Sequence, residues 1–182
     1  MNPKGNPIVV VDYDLTWPAL FAALRAPVAA ALGDLAIEIE HVGSTAVPRL
    51  AAKPVIDLDV ALPSMSALDA AIERLAPLGY VHKSDQGIPG RAAFDWPPRL
   101  QRHHLYVCAQ DSAEYRRHLL FRDYLRAHPD SAAVYTTLKR HLVTRYCTQR
   151  EAYTDAKGPF IGDVMARAEE WAAATGWTVT GR

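Results

Sequence analysis

Alternating apolar and polar residues predict two neighbouring strands early in the chain. Residues 36–42, Ala-Ile-Glu-Ile-Glu-His-Val, alternate with a period of two, which is typical of a strand with one buried face. Residues 54–60, Pro-Val-Ile-Asp-Leu-Asp-Val, form a second strand, which we expect to pair antiparallel with the first. Before them, an alanine- and leucine-rich helix is predicted up to residue 32, with Thr16 as its N-cap and Gly33 as its end.

After these strands the pattern changes from short strands to helices near residue 111. The elements predicted in order are a helix over 64–77, strands over 80–82, 92–96 and 103–108, and helices over 112–127, 131–147 and 150–175. Asp130 or Ser131 should cap the second of these late helices, and Gly158-Pro159 should break the last one. The order predicts an α+β fold, with a core over residues 1–111 and a C-terminal helical segment over 112–182 packed on it as one compact domain.

Asp57 and Asp59 are the most informative polar residues of the second strand. Side chains two positions apart in a strand share one face, so the Cβ atoms of the two aspartates stand roughly 6–7 Å apart, on the face opposite Ile56, Leu58 and Val60. Carboxylates that close repel each other unless a cation lies between them. Mg²⁺ prefers oxygen ligands and often uses one or two carboxylates together with substrate phosphates. The pair is therefore predicted to hold Mg²⁺, and the alternative is an exposed strand face.

Charge is distributed unevenly along a chain that is neutral as a whole. Residues 1–100 contain 8 Lys/Arg against 11 Asp/Glu, whereas residues 113–150 contain 8 against 3. An acidic half and a basic half suit a protein that holds a metal ion and a phosphate together, although solvated helix faces explain most such arginines. Zero net charge, and the lack of a basic stripe interleaved with aromatic residues, argue against nucleic acid as a partner.

Cysteine content and hydropathy predict a reducing, aqueous compartment. Cys108 and Cys147 are too few to form a disulfide framework for 182 residues. No signal-peptide pattern is recognised near the start, and no apolar run approaches the ~20 residues of a membrane span. We therefore expect a cytoplasmic protein that has no membrane partner.

Gly43 and Ser44 precede the aspartates at a spacing that resembles a known superfamily. A Gly-Ser turn exposes backbone N–H groups, and a helix that begins there favours phosphate at its N-terminus. The alternative is a plain tight turn. Together with a strand carrying Asp57 and Asp59, this turn resembles the signature of the nucleotidyltransferase superfamily. In that superfamily the turn holds nucleotide phosphates and the aspartates hold Mg²⁺ for attack on the α-phosphate.

Longer motifs resemble one family of that superfamily, the GrpB family. They are 40–48 (Glu-His-Val-Gly-Ser-Thr-Ala-Val-Pro), 50–57 (Leu-Ala-Ala-Lys-Pro-Val-Ile-Asp), His104-Leu105, 121–129 (Phe-Arg-Asp-Tyr-Leu-Arg-Ala-His-Pro), Leu138-Lys139 and 153–157 (Tyr-Thr-Asp-Ala-Lys). The resemblance implies a nucleotidyltransferase-like mixed or antiparallel sheet with flanking helices and a C-terminal helical segment. Some members are fused to dephospho-CoA kinase, and membership implies a fold more firmly than a reaction.

The resemblance implies Mg²⁺-dependent transfer of a nucleotidyl group from an NTP to an unidentified small-molecule acceptor. Asp57 and Asp59 would hold the metal ion, and Gly43 and Ser44 would bind the phosphates. His104, whose ordinary pKa lies near neutrality, is the candidate general base. The remaining candidates for contacting the nucleotide are Arg49, Lys53, Arg122, Lys139, Tyr153 and Lys157.

Departures from the family pattern leave a rival hypothesis open. Arg49 stands where the family commonly has glycine, and Tyr106 where it often has histidine. Nucleotidyltransferases usually carry a third carboxylate on a neighbouring strand, and residues 103–108 contain none. The weak candidates for this carboxylate are Glu40, Asp85 and Asp95. The gap favours a non-catalytic nucleotide- or CoA-related binding or chaperone-like module with the same fold.

Several residues also have other interpretations. Histidines near the aspartates suggest a His/Asp metal-dependent hydrolase as a third hypothesis. The histidines concerned are His41, His103 and His104. Taken singly, each is more often a hydrogen-bonded core residue. Arg122 can equally form a structural pair with Asp123. Tyr153 can stack on a base, but an aromatic residue at helical spacing more often belongs to the core.

Overall fold

The computed structural model describes residues 7–179 and confirms the predicted α+β class. The strands are β1 (Glu38–Val42), β2 (Ile56–Leu62), β3 (Val81–His82), β4 (Arg91–Asp95) and β5 (His103–Ala109). The helices are α1 (Trp17–Leu32), α2 (Leu68–Leu75), α3 (Ala113–Ala127), α4 (Pro129–Tyr146), α5 (Arg150–Asp155) and α6 (Gly158–Thr175). The predicted segments 1–111 and 112–182 also include positions 1–6 and 180–182, which lie outside the described residues.

The chain divides into two compact units that differ from the predicted division at residue 111. The unit that contains the sheet, here called the sheet unit, consists of Leu15–Ala46 and Val55–His118. The other, called the helical unit, consists of Met1–Asp14, Val47–Pro54 and Leu119–Arg182. Two early segments of the chain therefore group with the C-terminal helices, which a linear division along the sequence does not anticipate.

Backbone hydrogen bonds explain why these early segments belong to the helical unit. Ile8 N donates to Cys147 O over 2.8 Å. Val11 and Ala52 form an isolated antiparallel bridge, with both N···O distances at 2.9 Å. Residues 7–12 thus run as an extended segment that forms a β-bridge at Val11.

The five strands form one mixed sheet with the order β1-β2-β5-β4-β3. β1 pairs antiparallel with β2, as predicted, whereas β2 pairs parallel with β5. One face of the two central strands is apolar, and Leu58, Val60 and Leu105 are completely buried there. α1 contacts β1 and β2 and contributes the buried residues Val28 and Leu32. This face is the core of the sheet unit and follows from the period-two pattern of β2.

Helix ends follow the sequence signals in most places, but one predicted cap is wrong. α1 has Thr16 at its N-cap position and ends before Gly33, whose φ is +55°, as predicted, although the side chain of Thr16 makes no capping hydrogen bond. α4 begins at Pro129, because the fixed φ of proline suits the first helical turn, so Asp130 lies inside the helix. The predicted break near Pro159 is confirmed, since it separates α5 from α6.

Residues 17–35 of the described chain are long and apolar enough to span a membrane by length and composition. The prediction that no segment approaches this length is therefore corrected. Leu24, Val28 and Leu32 form a buried stripe of this helix within the sheet unit. The core helix of a soluble protein passes the same test, so length and composition alone do not identify a membrane span.

Gly43 follows β1 and brings the backbone directly over the carboxylate of Asp57. Its φ is +70°, and a Cβ atom built on it would collide with Asp57 Oδ2. We predict that Gly43→Ala lowers the free energy of unfolding by about 2–5 kcal/mol, from about 1–2 for the left-handed backbone and about 1–3 for overpacking. Urea denaturation measures the loss.

The matched control for this substitution is Gly90→Ala. Gly90 has a φ of +79°, but nothing lies within 4 Å of a Cβ atom built on it. This variant should therefore lose only about 1–2 kcal/mol, the part that comes from the backbone conformation. Equal losses in the two variants would show that the contact between Gly43 and Asp57 does not constrain the turn.

Candidate functional site

Polar residues gather on the face of the sheet opposite the core. Residues paired across neighbouring strands present their side chains to the same face. Asp57 pairs with His104 and Asp59 with Tyr106 across β2 and β5, and Glu40 pairs with Asp59 across β1 and β2. We call these five residues the polar face. The two aspartates share this face as predicted, and the parallel pairing with β5 adds His104.

Asp57 and His104 form a hydrogen-bonded pair on the polar face. His104 Nδ1 donates to Asp57 Oδ1 over 2.6 Å, and the two side chains are 34% and 25% exposed. Because Nδ1 carries the proton in this bond, Nε2 is the proton acceptor of the neutral ring. The carboxylate thus fixes the orientation of an imidazole that solvent and ligands can reach.

Asp59 is completely buried and is held by a histidine from α3. His118 Nδ1 donates to Asp59 Oδ2 over 2.6 Å, and His118 Nε2 donates to Glu114 Oε1 over 3.0 Å. Burial lowers the pKa of His118, but the hydrogen bonds to Asp59 and Glu114 outweigh it and raise the pKa to about 10. His118 is therefore an imidazolium at neutral pH, shared by two carboxylates.

The second oxygen of the Asp59 carboxylate is unsatisfied. Oδ1 is buried and has no hydrogen-bond partner, while the side chain as a whole is 0% exposed. Desolvation raises the pKa of Asp59, and the hydrogen bond from His118 opposes that rise. A buried carboxylate oxygen without a donor is costly unless a proton, a water molecule or a cation meets it. The residues therefore fit the Mg²⁺ ion that the resemblance implies.

Tyr106 lies between the two histidine–carboxylate pairs. Its ring centroid is 5.9 Å from that of His104 and 6.2 Å from that of His118. The guanidinium of Arg91 lies 4.3 Å from the same centroid, a cation–π distance. Burial, and then the charge of Asp57, raise the pKa of the Tyr106 hydroxyl, so it is neutral at any physiological pH. Tyr106 thus places an aromatic ring between the two histidines, at a position where the family often has histidine.

The Gly-Ser turn reaches the site, but not as the start of a helix. Gly43 contacts the Asp57 carboxylate, and Ser44 begins a single 3-10 turn, Ser44–Ala46. Three residues are too few to build a helix dipole. Of the two alternatives, a turn or a helix opening, the structure has the turn, and any phosphate contact would come from the turn itself.

The other predicted nucleotide contacts belong to the helical unit. They are Arg49, Lys53, Arg122, Lys139, Tyr153 and Lys157. Arg49 is exposed with a φ of +68°, so a position that suits glycine carries a side chain here. Tyr153 is only 1% exposed and packs with Ile8 and Leu142, which places it in the core, so it presents no ring face for stacking on a base.

Arg122 has the structural role that was its alternative interpretation. The side chain is buried, and its Nε donates to Asp123 Oδ1 over 2.7 Å. The other oxygen of Asp123 accepts a hydrogen bond from Trp177 Nε1 over 3.1 Å. This network explains why a buried guanidinium is tolerated, and it supports the structural role of Arg122.

Two of the histidines in the hydrolase hypothesis lie on the core face of the sheet. His41 stacks on Phe21 with its Nε2 2.9 Å from Thr45 Oγ1. His103 is buried with its Nε2 2.7 Å from the hydroxyl of Tyr80. Within residues 7–179, no group of three or more His, Cys, Asp or Glu side chains is arranged to hold a metal ion by itself. A metal ion on the polar face would therefore need ligands from substrate or water in addition to the described side chains.

Glu114 and His118 were missed by the sequence analysis. They are four residues apart at the start of α3 and so share one helix face, which is the signal that could have found them. Of the weak candidates for a third carboxylate, Glu40 shares the polar face, whereas Asp95 pairs with Lys83 over 3.3 Å. Glu114 supplies the additional carboxylate near Asp59 that β5 lacks.

Comparisons with known proteins agree with this architecture. A family profile described as GrpB protein matches residues 7–167. The UPF0157 protein YqkA of Bacillus subtilis is 33% identical over 94% of this chain, which spans 50% of that relative's length. A dephospho-CoA kinase of Mycolicibacterium paratuberculosis is 32% identical over 94% of this chain, which spans 48% of that protein.

A solved structure tests the fold directly. The crystal structure of the conserved protein GrpB from Enterococcus faecalis superimposes with a TM-score of 0.81 and 31% identity. The match covers 90% of this chain and 99% of that one. The expectation drawn from the sequence motifs is thus confirmed for nearly the whole length, and the chain belongs to the GrpB family and has its nucleotidyltransferase-like α+β fold.

Proposed function

We propose that the polar face binds a nucleoside triphosphate with Mg²⁺ and transfers its nucleotidyl group to a small acceptor. The observation that carries the proposal is the unsatisfied Oδ1 of Asp59, which is completely buried beside a second carboxylate. Structural carboxylates in protein cores normally have their oxygens hydrogen-bonded. An oxygen left open next to Asp57 is what a hard cation would occupy, together with substrate phosphates.

The two aspartates of the polar face are each held by a histidine, and their contacts support their role as metal ligands. Mg²⁺ would supply charge neutralisation at the phosphate oxygens. His118 holds Asp59 through Oδ2, so Oδ1 is left to a ligand. His104 holds Asp57 through Oδ1 in the same way. The carboxylates are therefore oriented before any ligand arrives, which lowers the entropic cost of binding.

His104 is the proposed general base. Its Nδ1 proton is held by Asp57, so Nε2 can accept a proton from the attacking group of the acceptor. The side chain is one-third exposed, which leaves that nitrogen accessible. Once protonated, the imidazolium would be stabilised by the same carboxylate, as in other histidine–carboxylate pairs.

The same pair favours a second candidate reaction, hydrolysis of the nucleotide. His104 Nε2 can deprotonate water as well as an acceptor, so the geometry of the base does not distinguish transfer from hydrolysis. Product analysis does: both reactions at the α-phosphate release pyrophosphate, but transfer leaves the nucleoside monophosphate on the acceptor, whereas hydrolysis leaves it free in solution. Binding without turnover would instead favour the binding-module hypothesis.

A cytoplasmic location is part of the proposal, because both cysteines are free.

We predict that nucleotide with Mg²⁺ stabilises the protein and that Asp57→Asn or Asp59→Asn abolishes this effect. A ligand at about 100 times its Kd adds about 2.7 kcal/mol to the free energy of unfolding. Neutralising either carboxylate removes an anionic oxygen ligand while conserving side-chain volume. Thermal-shift titrations with ATP, CTP, GTP and UTP, each with Mg²⁺ or EDTA, measure the effect.

The control for these variants is Asp95→Asn, which removes the same charge from the same sheet. Asp95 lies on β4 and pairs with Lys83, and its side chain is about half exposed. Nucleotide should stabilise this variant as it stabilises the wild type. The proposal would be contradicted by a shift that is unchanged in EDTA, or by one that survives in Asp59→Asn.

We predict that His104→Gln slows pyrophosphate release by about 10²–10⁴-fold and leaves nucleotide affinity within about twofold, because a general base acts on the rate. A panel of hydroxyl and amine acceptors with a pyrophosphate assay measures the rate. His141→Gln is the control, since His141 is exposed on α4. An unchanged rate in His104→Gln would remove this residue from the mechanism.

A further inference from the structure

Arg91 is a buried arginine on the same side of the sheet as the polar face. It lies on β4 and pairs with Cys108 of β5, two residues beyond Tyr106, so the alternation of side chains along β5 places it on the side of Tyr106. Its guanidinium carbon lies 4.3 Å from the ring centroid of Tyr106. The residue is 8% exposed, although arginine is almost never buried unless it is paired. Burial of this charge is costly unless acceptors meet its donors.

The guanidinium of Arg91 has few hydrogen-bond acceptors within residues 7–179. Its Nε is buried and has no hydrogen-bond partner there. Its Nη2 donates to the backbone oxygen of Asp85 over 3.4 Å, which is longer than an ordinary hydrogen bond. Because a guanidinium carries five N–H donors, this long bond satisfies little of its capacity. A ligand with several acceptor oxygens would satisfy the rest.

The carboxylate of Glu114 acts on Arg91 from a distance and has its contacts elsewhere. The hydrogen bond with His118 is the largest cause that lowers the pKa of Glu114, and the charge of Arg91 comes last among the causes. Glu114 Oε1 lies 3.0 Å from His118 Nε2 and 3.4 Å from Arg117 Nη1. Arg91 therefore feels an attraction to Glu114 without forming an ion-pair contact with it.

Arg91 and the Gly43-Ser44 turn lie on opposite sides of the two aspartates. β2, which carries Asp57 and Asp59, stands between β1 and β5 in the sheet. Gly43 follows β1 and contacts the Asp57 carboxylate near the start of β2. Arg91 lies on β4, beyond β5. Nucleotide phosphates bound at the turn would therefore leave Arg91 on the far side of the metal-binding carboxylates.

The proposed transfer places the acceptor on that far side. The attacking and leaving atoms lie roughly in line, so the bond from the acceptor to phosphorus forms opposite the bond to pyrophosphate that breaks. His104, the proposed base that takes the acceptor's proton, lies on β5, the neighbour of β4. The ring centroid of Tyr106 is 5.9 Å from that of His104 and 4.3 Å from the guanidinium carbon of Arg91. A small molecule can span this single ring.

We infer that Arg91 binds an oxyanion of the acceptor, so that the acceptor carries a phosphate or carboxylate group. The inference rests on the proposed function for the identity of the acceptor. A guanidinium matches either group with two parallel hydrogen bonds. The ring of Tyr106 attracts the guanidinium through a cation–π contact, which gives its donors a fixed direction. An acceptor anchored at Arg91 presents its hydroxyl or amine to His104 at a high effective concentration.

The test uses glycerol 3-phosphate, glycerate and glycerol as probes, because they share hydroxyl groups and differ in their anionic group. Each is titrated into the full chain by calorimetry in EDTA, which excludes binding through divalent cations. Glycerol 3-phosphate or glycerate should bind and glycerol should not, and the tighter of the two anions identifies the oxyanion. Arg91→Gln should weaken that binding by about tenfold or more, because charge-assisted hydrogen bonds are lost. Arg91→Lys keeps the charge without the paired donors and should lose less.

Arg74→Gln is the matched control, since it removes the same charge from an arginine of the sheet unit that pairs with Asp34. Its affinity for both anions should equal that of the wild type. The inference is overturned if neither anion binds, if binding is unchanged in Arg91→Gln, or if Arg74→Gln loses as much affinity as Arg91→Gln.

NMR of the wild type tests the same contact without any substitution. The Nε–H resonance of Arg91, assigned by triple-resonance experiments, should move when the binding anion is added. It should keep its position when Mg²⁺ is added with the nucleotide that gives the largest thermal shift. A resonance that moves with the nucleotide and not with the anion would assign Arg91 to the nucleotide phosphates and overturn the inference.

Failure of this inference and failure of the proposed nucleotide reaction are distinguishable. Mg²⁺-dependent stabilisation by nucleotide, and its loss in Asp59→Asn, test the nucleotide site, whereas anion binding in EDTA tests Arg91. Stabilisation by nucleotide without anion binding that depends on Arg91 would overturn the inference alone. Anion binding that depends on Arg91, in a protein that no nucleotide stabilises, would overturn the proposed reaction and the assignment of that anion to an acceptor.

Discussion

The hydrogen bond between His118 and the buried carboxylate of Asp59 is the interaction on which the polar face depends. Asp59 is completely buried in the central strand β2, where an isolated carboxylate would be strongly disfavoured. His118 meets one oxygen as an imidazolium and is itself held by Glu114. Because this pair leaves the other oxygen of Asp59 open, it both makes the burial tolerable and creates a place for a ligand.

The same strand explains why the fold can carry such a site. β2 is apolar on its core face, so carboxylates on its other face leave the hydrophobic core of the sheet unit intact. Gly43 then brings the chain over Asp57 at a distance that no side chain would allow. Backbone geometry and electrostatics thus position the two aspartates before a ligand binds.

Buried titratable residues occur in both units of the described chain. Asp59 is completely buried in the sheet unit, where His118, Asp57 and Glu114 act on it, and Lys139 is 3% exposed in the helical unit. Burial displaces the pKa of each residue in the direction that desolvation dictates, upward for Asp59 and downward for Lys139. Displaced pKa values of this kind are typical of functional sites.

The sequence by itself determined what depends on short-range rules. Period-two alternation located β1 and β2 and put Asp57 and Asp59 on one face, and family motifs correctly indicated the nucleotidyltransferase-like fold. Only the tertiary structure decided which side chains meet those carboxylates, because His104 and His118 lie 47 and 59 positions away from them along the chain. The same holds for Arg122 and Tyr153, whose burial no local pattern reports. Side-chain periodicity is a property of a strand or helix alone, whereas strand register and helix placement arise from packing between distant segments.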